Sequence, residues 1–202
     1  NAAITIGNVV GSNILNVGII LGITALIRPL HIQNSTMKYE MPFMILVTFV
    51  LILLGINTTI SRLDGIIMWL FFLGYLYYIF KMSKNQMEET EIKQTNPLFI
   101  PLGLICLMMG SNFAVDAATN IAISFGVSQR FIGLTIVALG TSLPELVTSV
   151  TAAKKGNADI AIGNIIGSNI FNILFVVGSS ALITPVPFEP HFIIDSFVAI
   201  LI

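Results

Sequence analysis

The chain has 202 residues, in which long apolar runs alternate with short breaks rich in charged residues, proline and asparagine. Each full run is long enough to cross a bilayer as a helix, which takes about 20 residues, and none shows the roughly ten-residue alternation of a membrane barrel strand. The pattern therefore predicts an all-α membrane protein. The predicted spans cover residues 4–27, 41–57, 63–81, 97–118, 129–153 and 159–183, and a partial seventh begins at 191.

The composition supports a lipid environment. Hydrophobic residues make up 55% of the chain and charged residues 9%, whereas soluble domains carry about 25% charged residues. Nine lysines and arginines are balanced by ten acidic residues and form no basic stripe, so we expect the lipid bilayer and no nucleic acid as a partner. The single cysteine, Cys106, excludes a disulfide within the chain and is expected to be a small buried apolar residue.

The basic residues predict the orientation in the membrane. The connections on one side hold seven of them, and those on the other side hold Arg62 and Arg130. Because cytoplasmic loops carry an excess of lysine and arginine, we expect the first side to face the cytoplasm of a multi-pass protein in the plasma membrane, or in the inner membrane of a Gram-negative bacterium. The seven residues are Arg28, Lys38, Lys81, Lys84, Lys93, Lys154 and Lys155.

An internal repeat is the most informative feature of the sequence. Residues 3–29 align without gaps on residues 159–185, and 14 of these 27 positions are identical. The copies belong to the first and sixth predicted spans, so five crossings separate them and they run in opposite directions through the membrane. Inverted repeats of this kind are typical of secondary transporters, which bind their substrate near the midplane between the two halves.

Polar residues recur on one face of each repeat helix. Asparagine, serine and asparagine follow one another at i, i+4 and i+8, which places them on one side of a helix. Two such stripes that face each other would form a polar track through the bilayer. The alternative is packing alone, since the GxxxG pairs and interhelical amide bonds can simply hold a bundle together. The stripe residues are Asn8, Ser12 and Asn16 in the first copy and Asn164, Ser168 and Asn172 in the second.

The fifth span carries an ionisable residue, Glu145, within the segment ALGTSLPELVTS. A carboxylate inside the membrane costs several kcal/mol unless it is paired or faces a polar cavity, so it indicates a functional site. Pro144 lacks an N–H, and the carbonyl of Gly140 therefore loses its helical partner, so we expect the helix to bend or open there. Thr141 and Ser142 lie on the same face as Glu145 and add hydroxyl oxygens.

The donor atoms of this group are all oxygens, which favours a hard cation such as Na⁺, Ca²⁺ or Mg²⁺. His31 and His191 lie near predicted span ends, where an interfacial role is expected. Asp116, late in the fourth span, fits either a second intramembrane acid or a headgroup-level residue. The motifs HExxH, GxSxG and GxxxxGK[ST] do not occur in the sequence, so we expect neither an enzyme nor a cofactor.

The doubled motif GNxxGSNIxN, with GTSLPEL before its second copy, resembles the cation/calcium exchanger superfamily, which includes the sodium/calcium exchangers and their bacterial relatives. The resemblance implies a ten-helix fold of two inverted five-helix halves with cations bound at the centre. On that pattern the chain holds six complete helices and part of a seventh. Residues 1–81 would end the first half, 82–96 would be a cytoplasmic linker, and 97–202 would belong to the second half, whose α-repeat covers 129–185.

The resemblance also implies roles for individual residues. Glu145 would be a central carboxylate shared between Ca²⁺ and Na⁺. Thr141 and Ser142, with the carbonyl of Ala138, would contribute to the calcium position and the outer sodium position. Ser12 and Ser168 would contribute to the flanking sodium positions, and Asn16 and Asn172 would lie at the central level.

The sequence departs from the family pattern in two ways. It begins at Asn1, which is equivalent to Asn157, so the helix that would carry a first GTSLPE-like motif is absent and we expect the chain to be a fragment. Sodium/calcium exchangers often have aspartate where this chain has Asn172.

Taken together, the inverted repeat, the oxygen-rich group and the resemblance predict an antiporter that exchanges Ca²⁺ for Na⁺ by alternating access. A Ca²⁺/H⁺ antiporter and a non-transporting membrane assembly unit are the alternatives.

Overall fold

The computed structural model describes residues 2–86, 96–127, 136 and 138–202, and these are almost entirely helical. They form two compact units, Asn1–Phe72 with Glu145–Ile202 and Leu73–Pro144, each of which is treated by itself below. The α-helices are Ala2–Leu15, Gly22–Ile27, Met41–Gly55, Arg62–Gln86, Phe99–Ser124, Ala138–Thr141, Leu143–Lys154, Ala158–Phe171, Gly178–Ile183 and His191–Leu201, and the π-helical segments are Asn16–Leu21, Thr36–Glu40 and Asn172–Val177.

Five helices in the described part of the chain are long and apolar enough to cross a membrane, which confirms a multi-pass membrane protein. The fifth predicted span, 129–153, includes residues outside the described ranges, and its described part forms the helices Ala138–Thr141 and Leu143–Lys154. The predicted partial span from 191 is the short apolar helix His191–Leu201. The five long spans are Thr5–Ile27, Thr36–Gly55, Arg62–Lys84, Phe99–Ser124 and Ala158–Ile183.

Some predicted boundaries and one predicted environment differ from the structure. The helix Arg62–Gln86 continues beyond 81, so the first residues of the predicted linker 82–96 are helical, and 87–95 lie outside the described residues. The helix continues because residues 82–86 contain neither glycine nor proline. Phe99–Ser124 continues past 118 until the turn at Gly126, whose φ is +74°. Cys106, expected to be buried, is exposed on this helix.

The two repeat helices form the centre of the first unit. The first repeat helix comprises Ala2–Leu15, Asn16–Leu21 and Gly22–Ile27, and the second comprises Ala158–Phe171, Asn172–Val177 and Gly178–Ile183. The first packs against the second and against the helix His191–Leu201. Aliphatic side chains that are almost wholly excluded from solvent fill the contacts, among them Ile6, Val9, Leu51, Ile165, Ile170 and Leu174.

A π-helical segment occurs at the same place in both repeat helices. One begins at Asn16 and the other at Asn172, and each is six residues long. A π turn inserts one residue into the helical repeat, and such segments are frequent at functional sites. The sequence pattern alone gives no sign of them. Each segment begins at the last asparagine of its polar stripe.

Aromatic rings and two glycines join the second repeat helix to Arg62–Gln86. The ring of Phe175 lies 5.1 Å from that of Trp69 and 5.4 Å from that of Phe72, measured between centroids. Trp69 Nε1 donates a hydrogen bond to Ser179 Oγ at 3.2 Å. A Cβ on Gly65 would lie 2.8 Å from the backbone oxygen of Gly178, so the two backbones meet closely here.

A short antiparallel bridge ties two connections of the first unit. Thr59–Ile60 pairs with Val186–Pro187, and Phe188 N donates to the carbonyl of Thr58 at 2.8 Å. Both connections are predicted to lie outside the cell. The ring of Phe188 packs where a Cβ on Gly55 would be only 2.5 Å away, so this contact requires glycine. The bridge therefore fixes the end of the helix Met41–Gly55 against the end of the second repeat helix.

In the second unit, the segment around Gly140 shows the interruption expected near Pro144. The helix Ala138–Thr141 ends, Ser142 N donates to the carbonyl of Leu139 at 3.1 Å, and the next helix begins at Leu143. A Cβ on Gly140 would overlap the side chain of Val115 on Phe99–Ser124, so a glycine is needed at this contact. The missing N–H of Pro144 explains why the helical bonds stop short of it.

Candidate functional site

The two copies of the GSN motif meet at the crossing of the repeat helices. Asn13 Nδ2 donates to the backbone carbonyl of Asn169 at 3.2 Å, and Asn169 Nδ2 donates to the backbone carbonyl of Asn13 at 3.3 Å. Both side chains are buried, with exposed fractions of 4% and 2%. The reciprocal bonds make this pair the centre of an approximate two-fold arrangement, as an inverted repeat requires.

The last asparagine of each stripe bonds across to the opposite helix. Asn16 Nδ2 donates to Asn169 Oδ1 at 2.9 Å and to Ser168 Oγ at 3.5 Å. Asn172 Nδ2 donates to Asn13 Oδ1 at 3.1 Å and to Ser12 Oγ at 3.2 Å. The two sets of bonds involve equivalent residues of the two copies. The predicted facing of the two polar stripes is therefore present at their serines and final asparagines.

Glu145 joins this network through the second copy. Ser168 Oγ donates to Glu145 Oε1 at 3.0 Å, which is a hydrogen bond to a charged acceptor when the carboxylate is ionised. Asn164 Nδ2 donates to the backbone carbonyl of Glu145 at 3.2 Å and to Ser149 Oγ at 3.0 Å. Ser149 Oγ in turn donates to the carbonyl of Ala161 at 3.3 Å. These bonds fix the start of Leu143–Lys154 against the second repeat helix.

Two buried oxygens of the network accept no hydrogen bond from any described residue. They are Glu145 Oε2 and Asn16 Oδ1. The other oxygen of Glu145 accepts from Ser168, and Asn16 donates to that same hydroxyl group, so both residues flank one serine. A buried acceptor without a donor is costly, and its persistence calls for an explanation such as an ion. A cation bound at either oxygen would supply the missing partner.

The glycines beside the stripes bear on the packing alternative. Gly7 lies 3.5 Å, measured from its ideal Cβ, from the ring of Phe192. Around Gly11, Gly163 and Gly167, by contrast, no described atom lies within 4 Å of such a Cβ. Three of the four GxxxG glycines therefore make no close helix contact within the described part of the chain. The polar bonds, rather than these glycines, join the two helices.

Five of the eight predicted site residues are joined by this network, and three lie in the second unit. The five are Ser12, Asn16, Glu145, Ser168 and Asn172. In the second unit Thr141 is exposed, Ser142 is buried with 3% exposed, and Ala138 begins a short helix. Asn8, which shares the first stripe, is exposed. The ligand role of all eight remains a prediction.

Sequence reasoning missed four members of the network. Asn13 and Asn169 lie off the i, i+4, i+8 stripe, although their identity in both copies could have identified them. Met44, whose Sδ lies 3.6 Å from Asn169 Nδ2, gives no signal in the sequence. Ser149, four residues after Glu145 and hence on the same helical face, accepts a hydrogen bond from Asn164, and this spacing could have identified it.

The site differs from a site built on several carboxylates or on histidine. Within the described ranges no three histidine, cysteine, aspartate or glutamate side chains cluster so as to hold a metal ion. One carboxylate, that of Glu145, is instead joined through Ser168 to a network of amide and hydroxyl groups, whose oxygens match hard cations. His191 pairs with Glu189 at 3.4 Å on the exposed surface, and Asp116 is exposed in the second unit.

Comparison with known proteins gives a consistent result. The profile of the family described as sodium/calcium exchanger protein matches residues 1–81 and 95–202. The inner membrane protein YrbG of Escherichia coli is 38% identical over 204 residues, an alignment that covers 93% of this chain and 62% of that protein. The sodium/calcium exchanger MaX1 of Methanosarcina acetivorans is 29% identical, with 91% of this chain and 66% of that protein covered.

A solved structure shares the fold. The sodium-calcium exchanger NCX_Mj, studied with Na⁺ and Sr²⁺, matches with a TM-score of 0.82 and 32% sequence identity, over 99% of this chain and 67% of that one. The likeness confirms the predicted exchanger fold. The chain thus spans about three-fifths to two-thirds of the length of these relatives.

Proposed function

We propose, on the premise that this chain belongs to the sodium/calcium exchanger protein family, that it is part of an antiporter that exchanges Ca²⁺ for Na⁺ by alternating access. The observation that carries the proposal is the pair of buried acceptors without donors, Glu145 Oε2 and Asn16 Oδ1. Both are hard oxygen ligands, and the residues that carry them flank the same serine through their other polar atoms. A transported cation would sit between the two inverted copies, as in other repeat-built transporters.

The proposed site uses the residues of both copies. Ca²⁺ takes about six to eight oxygens, and Na⁺ is likewise bound by carbonyl, hydroxyl and carboxylate oxygens. Glu145 supplies the negative charge, and the amide and hydroxyl oxygens supply the other ligands. We assign to the cage Ser12, Asn16, Glu145, Ser168 and Asn172 of the first unit. For Thr141, Ser142 and the carbonyl of Ala138, in the second unit, the ligand role stays a prediction of the sequence.

Coupling follows from a shared carboxylate. If Ca²⁺ and Na⁺ both need Glu145, one Ca²⁺ and a set of Na⁺ ions exclude each other, so that only exchange carries net transport. The π segments that begin at Asn16 and Asn172 place irregular backbone beside the proposed cage. Irregular backbone is tolerated at membrane depth where it lines a cavity or is buried in protein.

The test is the isosteric variant Glu145→Gln in the full-length protein, reconstituted in vesicles. We expect Na⁺-dependent uptake of radioactive Ca²⁺ to fall by at least about a hundredfold, because the deep charge of Glu145 is lost while the shape of its side chain is kept. Glu189→Gln, an exposed glutamate paired with His191, is the matched control and should transport normally. Uptake retained in Glu145→Gln would overturn the assignment.

A Ca²⁺/H⁺ antiporter is the second candidate, and one observation favours it. Asparagine occupies both central positions, 16 and 172, so Glu145 is the only acidic residue of the described hydrogen-bond network. Protonation of one carboxylate could then alternate with Ca²⁺ binding. Uptake driven by a pH gradient in Na⁺-free vesicles would decide for this candidate, and uptake that requires Na⁺ would decide against it.

A further inference from the structure

We propose that Asn13 and Asn169 are positioning residues that fix the amide orientation of Asn172 and Asn16, so that the carbonyl end of each faces the cation. The inference rests on the proposed function, since it concerns the same site. It assigns a role to two residues that touch the proposed cage only through their neighbours. The four asparagines would then form two matched pairs, Asn169 with Asn16 and Asn13 with Asn172.

The hydrogen bonds account for every amide proton of the two central asparagines. A primary amide has two N–H donors and one carbonyl acceptor. Asn16 uses its donors on Asn169 Oδ1 and Ser168 Oγ, and Asn172 uses its donors on Asn13 Oδ1 and Ser12 Oγ. In both residues the nitrogen end is therefore directed at the opposite helix. The carbonyl end is the part left for another ligand.

The orientation matters because the two ends of an amide carry opposite partial charges. A cation is coordinated by the amide oxygen and repelled by the N–H group, so a flipped amide would place partial positive charge beside the ion. In Asn16 the bond to Asn169 Oδ1, at 2.9 Å, is shorter than the bond to Ser168 Oγ, at 3.5 Å. Without the first acceptor the amide of Asn16 would lose its main restraint.

The orienting residues are themselves held by an arrangement that does not permit a flip. The nitrogen of Asn13 donates to the backbone carbonyl of Asn169, and the nitrogen of Asn169 donates to the backbone carbonyl of Asn13. Turning either amide would bring its oxygen against that carbonyl, which is an unfavourable contact of two acceptors. Asn13 and Asn169 are thus each held with Oδ1 pointing at the central asparagine of the other helix.

The sequence spacing explains why both copies share the device. In each copy the orienting and the central asparagine lie three residues apart, and the helices run in opposite directions. Because the helices are inverted, the orienting asparagine of each helix lies beside the central asparagine of the other helix. One motif, GSNIxN, therefore encodes both the oriented ligand and the acceptor that orients its counterpart.

Double-mutant cycles on the full-length protein test the proposal, with the dissociation constant for Ca²⁺ measured at equilibrium in detergent. We expect Asn16→Ala and Asn169→Ala each to weaken binding by about tenfold, as for loss of one ligand or of its orientation. If Asn169 acts through Asn16, the double variant should bind no more than about twofold weaker than the weaker single variant. Effects that multiply to about a hundredfold would overturn the proposal.

The control combines residues of one helix, which we call the crossed pairs. Asn13→Ala with Asn16→Ala, and Asn169→Ala with Asn172→Ala, remove residues that do not share an orienting bond, so their effects should come closer to multiplying. Equal coupling in matched and crossed pairs would mean general collapse of the network and would overturn the proposal. Thr48→Val removes a buried hydroxyl that bonds within its own helix and should leave Ca²⁺ binding unchanged.

A conservative variant keeps the test decisive where Asn16→Ala does not fold. Asn16→Asp carries an oxygen at both ends of its carboxylate and needs no orienting partner, so adding Asn169→Ala to it should change Ca²⁺ binding by no more than about threefold. A further loss of tenfold or more on adding Asn169→Ala to a folded Asn16→Asp would overturn the proposal. If Asn16→Ala itself leaves Ca²⁺ binding unchanged, the proposed site fails. If Asn16→Ala weakens binding but its effect multiplies with that of Asn169→Ala, only the positioning role of Asn169 fails.

Discussion

The two repeat helices share their motif and their crossing bonds, but they differ in their surroundings. Half of the most apolar stretch of the second helix is buried, compared with 28% of the first. Gly178 packs against Met68, whose Cβ lies 3.1 Å from an ideal Cβ on the glycine. Around an ideal Cβ on its counterpart Gly22, no described atom beyond the neighbouring backbone of the same helix lies within 4 Å. Ser168 donates to Glu145, whereas Ser12 donates to the carbonyl of Val9 in its own helix.

The difference separates what the motif determines from what its neighbours determine. The asparagine bonds and the π segments occur in both copies, so they depend on the motif and on the partner copy. Among the residues that the structure describes, the close packing around Gly178 and the bonds of Asn164 have no counterpart in the first copy, because the helices Arg62–Gln86 and Leu143–Lys154 supply these partners to the second copy. Equivalent substitutions in the two copies should therefore have unequal effects wherever a neighbouring helix is involved.

The largest difference is expected between Gly178→Leu and Gly22→Leu. A side chain at 178 would meet Met68 and Trp69, and overpacking of this kind typically costs about 1–3 kcal/mol, occasionally more. At 22 the space is open among the described residues, so a change within about 0.5 kcal/mol is expected. Thermal unfolding midpoints of the detergent-solubilised variants of this 202-residue chain provide the comparison. Similar midpoints for the two variants would contradict it.

A smaller difference is expected between Asn164→Ala and Asn8→Ala. Asn164 bridges Glu145 and Ser149, and losing its two part-buried hydrogen bonds should cost about 1–2 kcal/mol. Asn8 occupies the equivalent position and is exposed in this 202-residue chain, so its replacement here should be nearly neutral. The same unfolding measurement applies. In the full-length protein the transport rate of Asn164→Ala should also fall, because Glu145 loses a backbone anchor. An equal unfolding response at both positions of this chain would remove the distinction between the copies.

The smallest effect is expected from Met44→Leu. The Met44 sulfur lies 3.6 Å from Asn169 Nδ2, and the residue at the same offset in the second half is Ile200, which has no such acceptor. Sulfur is a weak acceptor, and a swap of similar volume usually costs less than about 1.5 kcal/mol, so Ca²⁺ affinity should change by no more than about threefold. A loss of tenfold or more would mean that Met44 is an essential support of Asn169.

The sequence predicts the fold and the meeting of the two polar stripes well, because both depend on patterns with a physical period. Apolar runs locate the spans, and the repeat brings Asn16 and Asn172 to one place through its inversion. Contacts between distant residues have no such period. The partnership of Asn13 with Asn169 depends on the angle at which the helices cross, and the contact of Met44 depends on a third helix. The continuation of Arg62–Gln86 past residue 81 was missed because hydropathy ends there while helix propensity does not.

The π segments restrict how long each repeat helix can be. One extra residue in a turn advances every later residue by about 100° around the axis, so the face that follows Asn16 or Asn172 is rotated relative to the face before it. A single deletion in one segment would undo that rotation and turn the downstream half toward the wrong neighbours. The two copies therefore align without gaps because an inserted or deleted residue would rotate the later side chains away from their neighbours. We expect natural variation in these helices to change side chains and to preserve their number.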